Sequence, residues 1–206
     1  MAESRLSLDT KTLDHLIRES GALLARIHNM TFPAFGKLRD LESQPFRTWF
    51  AYFADYVARY LRAAGDLNVI DTPMRRRLAA VLDRSRPMLE RVATGSLVHS
   101  DFHFENILQH EGRISSLLDF EWALSGDPSY DFMTGDVREG MILESEERFT
   151  EGYQTVRLFD TEHHQRVDLY RLFFALEDAV DHGRQGHSNA VATALARLRQ
   201  ILGILD

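Results

Sequence analysis

The chain has 206 residues, 44% of them hydrophobic and 27% charged, the balance of a globular protein with a buried core. Its formal charge is −7 and it contains no cysteine. Disulfides, thiolate metal sites and cysteine nucleophiles are therefore excluded, and a nucleic-acid partner, which needs a concentrated basic excess, is not expected.

In chain order, residues 10–29 place Leu13, Leu16, Ile17, Leu24 and Ile27 at helical spacing, with Asp9 or Thr10 as the N-cap. Residues 30–44, which include Pro33 and Gly36, read as a loop. Residues 45–62 repeat the helical signal through Phe46, Trp49, Phe50, Phe53, Val57, Tyr60 and Leu61. That aromatic stripe reads first as core and second as a substrate wall. Thr72-Pro73 opens a third helix, with Thr as N-cap and Pro at the first helical position. Leu78, Val81, Leu82 and Leu89 share one of its faces, and Pro87 is expected to kink or end it.

The texture changes at Gly95. Residues 96–98 read as a strand and 101–106 as a loop. Residues 107–110 and 113–120 form a hairpin turning at Glu111-Gly112. Another loop covers 121–131, and helix follows. Val167, Tyr170, Phe173, Phe174 and Leu176 mark one late helix, and residues 190–202 another. No apolar run approaches the ~20 residues that span a bilayer. No secretory leader is apparent, so a cytoplasmic location without a membrane partner is expected.

Polar chemistry concentrates around the hairpin. Asp101 follows an apolar strand, so its carboxylate is held on a firm edge yet open enough to take a proton from a hydroxyl. Asn106 offers a neutral amide oxygen, a hard ligand suited to magnesium. Asp119, thirteen residues on, ends the second hairpin strand beside Asn106. Two such oxygens completed by phosphate oxygens and water make an ordinary magnesium site. Base, amide and carboxylate are together the parts of a phosphoryl-transfer site.

Rival readings are weaker. His99-Ser100-Asp101 is no hydrolase triad, because adjacent side chains diverge and no G-x-S-x-G occurs. A metal-dependent phosphohydrolase calls for more histidine ligands than this block offers. His163-His164 read as surface residues. Glu177, Asp178 and Asp181 read first as a solvated helix face and second as an attractor for a cationic substrate.

His99 to Asn106 has the length and ends of the kinase pattern H-R-D-L-x-x-x-N, and Asp119-Phe120-Glu121 stands where D-F-G would. In this block the sequence resembles the aminoglycoside phosphotransferase and choline kinase family, small-molecule relatives of protein kinases. His103 matches that family's second histidine. Asp119 and Glu121 match its D-x-E, and Gly126-Asp127-Pro128-Ser129-Tyr130-Asp131 matches its G-D-P…D. Leu24-Ala25-Arg26-Ile27-His28, with Phe35-Gly36 after it, is similar to the helix that follows the family's hinge.

The resemblance implies a mainly α (α+β) fold. The expected architecture is a protein-kinase-like C-lobe, a single domain over 1–206, with a small β hairpin carrying the catalytic loops. Helices would occupy 10–93 and 132–206, and the catalytic and metal loops 96–131. It implies ATP or GTP with Mg2+ as cofactors, and a small-molecule hydroxyl as acceptor. Asp101 is then the base, and Asn106 and Asp119 hold the nucleotide and metal. Glu121 joins the metal ligands if the strand runs on, since it would share a face with Asp119. His99, His103 and Asp131 would brace the loop.

The family's N-lobe brings a phosphate-covering loop and a strand lysine. Before Gly95 the only glycines here are Gly21, Gly36 and Gly65, and the only lysines are Lys11 and Lys37. The expectation is a truncated, C-lobe-only member, with an N-lobe subunit or a second copy as partner. The alternative is an inactive remnant that binds a ligand or partner.

Overall fold

The computed structural model describes residues 9–133 and 143–205. The helix expected from residue 132 falls in part outside them. Among the described residues the helices are α1 (Thr10–His28), α2 (Trp49–Asp66), α3 (Thr72–Glu90), α4 (Leu143–Gln154), α5 (His163–Arg184) and α6 (Ser188–Leu205). The strands are β1 (Thr31–Phe32), β2 (Gly36–Lys37), β3 (Gly95–Val98), β4 (Ile107–His110), β5 (Arg113–Leu117) and β6 (Leu124–Gly126). They assemble into two compact units, each from two stretches of chain: Met1–Pro45 with Thr94–Thr161, and Phe46–Ala93 with Glu162–Asp206.

In the first unit, Asp9 caps α1 by accepting from the amides of Lys11 and Thr12 at 2.9 and 3.0 Å. Helices α1 and α4 meet backbone to backbone. A Cβ on Gly21 would lie 2.0 Å from the Phe149 carbonyl oxygen, and one on Gly152 would lie 2.0 Å from that of Arg18. Only glycine permits this approach. Beside the helices stands an antiparallel sheet in the order β1-β3-β6-β2, with Val98 opposite Leu124 and Gly36 opposite Ser125. Residues 30–44 are thus not merely a loop. They supply both outer strands, each two residues long and too short to show a period of two.

The hairpin forms as read, with Ile107 opposite Leu117. Glu111 and Gly112 at its tip have φ of 51° and 74°, as the tight turn demands. Strand β5 stops at Leu117 rather than running to residue 120. Asp119 has φ 63°, which no extended strand allows.

In the second unit the aromatic stripe of α2 is core. Trp49 and Phe53 are buried, and both pack against Tyr170 of α5, whose hydroxyl accepts from the Trp49 indole at 2.7 Å. Helix α3 starts one residue earlier than read. Asp71 is the N-cap, accepting from the Met74 amide at 2.8 Å, and Thr72 is already helical. An ionised carboxylate one residue upstream takes the cap from the hydroxyl. Pro87 does not end α3, which runs on to Glu90. The proline forfeits a single backbone hydrogen bond near the helix's end.

Candidate active site

The site is built from the back forward. The buried strand β3 delivers the chain to His99, and Ser100 then turns it with φ 68°. Behind that turn lies Asp131, on the short 3-10 turn Pro128–Phe132 that Asp127 caps through the Ser129 amide at 3.0 Å. The His99 amide donates to Asp131 Oδ2 at 2.9 Å, and the Ser100 amide donates to Oδ1 at 2.6 Å. Oδ2 also lies 2.9 Å from His28 Nε2, and His28 Nδ1 lies 2.8 Å from the Tyr153 hydroxyl. The side chains of His28 and Asp131 are fully buried. A carboxylate buried this deeply is tolerable only with such a full set of donors.

His99 ties the two loops together. Its Nε2 lies 2.8 Å from the Leu118 carbonyl oxygen, which can only accept, so Nε2 carries the proton. Its Nδ1 accepts the Asp101 amide at 3.3 Å. The Asn106 side-chain NH2 donates to the Asp101 carbonyl oxygen at 3.0 Å, lies 3.1 Å from His103 Nε2, and reaches Asp101 Oδ2 at 3.4 Å. His103 Nε2 is itself 3.5 Å from Asp101 Oδ2. Asp101, His103 and Asn106 therefore form one cluster, with the Asp101 side chain 40% exposed.

The Leu118 amide donates to the Asn106 carbonyl oxygen at 2.8 Å, which sets Asp119 one residue beyond, at the hairpin's open end. Among the described residues its exposed carboxylate makes no hydrogen bond or ion pair. Aspartate tolerates the left-handed backbone found there better than most residues. Glu121 lies in a turn closed by the Ala123 amide on the Phe120 carbonyl at 3.0 Å. The strand that would place Glu121 on one face with Asp119 does not form.

No group of three or more histidine or acidic side chains gathers as a metal cage among the described residues. The donor set fits magnesium of another kind. The Asn106 amide commits its NH2 inward, while Asp119 has no partner among the described residues. Such a pair suits an ion that takes its remaining ligands from phosphate and water.

His28 and Tyr153 are participants that no sequence signal marked as such. His28 stood only at the end of a family-like helix, and Tyr153 is 125 residues away from it. In the second unit, His163 is buried rather than on the surface. It shares a helix face with Arg166, Val167 and Tyr170, all buried. Glu177 is no solvated residue either. It accepts from Tyr56 at 2.6 Å and Tyr60 at 2.5 Å, and burial pushes its carboxyl above the ordinary range. Asp178 pairs with Arg197, and Asp181 with Arg184 at 2.8 Å.

The family model described as "Phosphotransferase enzyme family" matches residues 2–173, and the chain belongs to that family. No curated protein matches it by sequence. Solved structures do. A candidate fructosamine-3-kinase from Thermobifida fusca YX-ER1 superposes with a TM-score of 0.68 at 20% identity, over 90% of this chain and 66% of that one. The gentamicin complex of the aminoglycoside phosphotransferase APH(2")-IIa gives 0.66 at 16%, over 96% and 66%. A thermostable mutant of aminoglycoside phosphotransferase APH(4)-Ia, with AMP-PNP and hygromycin B, gives 0.64 at 20%, over 95% and 66%. These likenesses establish the mainly α, kinase-like fold. The chain spans about two thirds of the length of these structures.

Proposed function

We propose that this member of the phosphotransferase enzyme family is a small-molecule kinase of the cytoplasm, moving the terminal phosphoryl group of ATP or GTP to an acceptor hydroxyl. The observation that carries this reading is the Asp101–Asn106 pair, joined at 3.0 Å on a loop that Asp131 fixes from behind. Asp101 takes the acceptor's proton while the acceptor oxygen bonds to phosphorus and the nucleoside diphosphate leaves. Asn106 and Asp119 would hold Mg2+, without Glu121, whose strand does not form. When bound, the ion neutralises charge on the phosphates. His99, His103 and Asp131 keep the loop in register, so the protein's own contribution is mostly positioning.

Neighbours solved with AMP-PNP, hygromycin B and gentamicin support a nucleotide and a small-molecule acceptor as the two substrates. Leu108, Leu118, Phe120 and Trp122 are 43%, 43%, 41% and 48% exposed on the hairpin and the segment around Asp119. Apolar surface of this kind favours a partner, and we assign it to an N-lobe subunit or a second copy of this chain. A light-scattering mass of one chain at high micromolar concentration would count against the second copy.

Calorimetric titration with ATP, with and without magnesium, tests the reading beside Asp119→Asn. Magnesium-dependent binding that disappears in the variant is expected. Binding that ignores both magnesium and the variant would overturn the metal assignment. No binding, even with a relative's N-lobe supplied, would favour an inactive remnant that serves as a binding module.

A further inference from the structure

The network behind the catalytic loop ends in a group that no motif names. Tyr153, on α4, is 1% exposed and is aimed by its ring contacts: stacked on Phe159 at 4.8 Å and edge-on to Phe132 at 5.2 Å. We propose that Tyr153 is a positioning residue: its hydroxyl donates to His28 Nδ1 and steadies the ring that donates to Asp131, the carboxylate that holds the His99 and Ser100 amides.

The argument is one of donors and acceptors. Asp131 Oδ2 accepts, so the proton between it and His28 sits on Nε2. In a neutral imidazole, Nδ1 is then the acceptor, and the Tyr153 hydroxyl at 2.8 Å is its donor. The opposite assignment fails on the tyrosine side. Among the described residues the hydroxyl has no other partner, so if it accepted from His28 its own hydrogen would be buried and unpaired, which is costly. Burial also pushes the Tyr153 hydroxyl well above the ordinary tyrosine range, keeping its proton in place.

The reverse tautomer would set an imidazole lone pair against the carboxylate. Asp131 would then lose one of its three donors, and the same oxygen carries the His99 amide. In this way α4 governs the geometry of a loop elsewhere in the chain. The Arg157 guanidinium supports the arrangement, donating to the His28 carbonyl at 2.8 Å and so holding the end of α1. The effect on turnover rests on the phosphotransfer reading; the effect on the loop does not.

The test is nuclear magnetic resonance on the 15N-labelled chain. Long-range correlations report the His28 tautomer, and amide hydrogen exchange reports His99 and Ser100. The wild-type chain is expected to show Nε2–H on His28. Tyr153→Phe should shift the His28 Nδ1 resonance, since that nitrogen loses its donor, and speed exchange of the two amides by about tenfold, the worth of one buried hydrogen bond. Leu158→Ala, at an exposed position beside Phe159, the Tyr153 ring's partner, should leave both readouts in place.

Nδ1–H on His28 in the wild-type chain would overturn the proposal, whether or not any variant folds. So would unchanged His28 shifts and exchange in Tyr153→Phe, or equal loosening of the two amides in Leu158→Ala. Neither readout involves nucleotide or acceptor. Failed ATP binding would therefore sink the functional reading and leave this one standing.

Discussion

In the first unit, the buried Asp131 gathers two backbone amides of one loop and the imidazole of His28. In the second, the largely buried Glu177 gathers two side-chain hydroxyls from α2, those of Tyr56 and Tyr60. Both are acids kept in the interior by directed donors. They constrain different things. An acid that binds amides dictates backbone conformation, and here it holds Ser100 at a positive φ next to Asp101. An acid that binds hydroxyls dictates how one helix lies on another, and here it fastens α5 to α2. The first kind of constraint shapes a loop, and the second shapes packing.

Three variants break or sharpen that contrast. The largest effect belongs to Asp101→Asn, which removes the proposed base from a loop held by other residues. Turnover, followed as acceptor-dependent release of nucleoside diphosphate, should fall by about 10²–10⁴-fold with the melting temperature unchanged. A matching fall in melting temperature would mean that Asp101 is part of the frame. Next comes Asp131→Ala, which leaves the His28 ring and two amides without their acceptor. It should cost about 3–5 kcal/mol in denaturant unfolding, the usual result of breaking a buried pair. A loss below about 1 kcal/mol would place Asp131 among exposed ion pairs in its energetics.

The smallest effect is a pH dependence from Glu177. Burial raises its pKa in the folded chain above the ordinary 4.5. Within the window between those two values the folded chain therefore binds more protons than the unfolded one, so stability falls as pH rises. Melting temperatures of wild type and Glu177→Gln should diverge accordingly, the wild type gaining on the variant as pH drops toward 4.5. A wild-type stability that rises through that window relative to the variant would reverse the assignment.

Much of the secondary structure was legible because its causes are local. Asp9 caps the helix it precedes, Trp49 and Phe53 share a helical face, and Glu111-Gly112 turns the hairpin beside them. The site was legible for the same reason: Asp101, His103 and Asn106 lie within one short loop, and Asp119 follows at the hairpin's open end. What escaped was decided elsewhere. Strands β1 and β2 carry no period of their own and exist because β3 and β6 offer them edges. Glu121 looked like a neighbour of Asp119 until the left-handed backbone at Asp119 ended the strand. His163 looked exposed until α5 turned that face inward.

By itself, then, the sequence determined the helices, the hairpin, the spacing of the motif and the family to which this chain belongs, since each of these is set by residues a few positions apart. Only the tertiary structure decided which buried donor meets which acceptor. His28, Asp131 and Tyr153 are more than 100 residues apart along the chain in the pairs His28–Asp131 and His28–Tyr153, at 103 and 125. No periodicity or motif links positions so distant. They meet because a buried polar group must find a partner wherever the packed helices bring one.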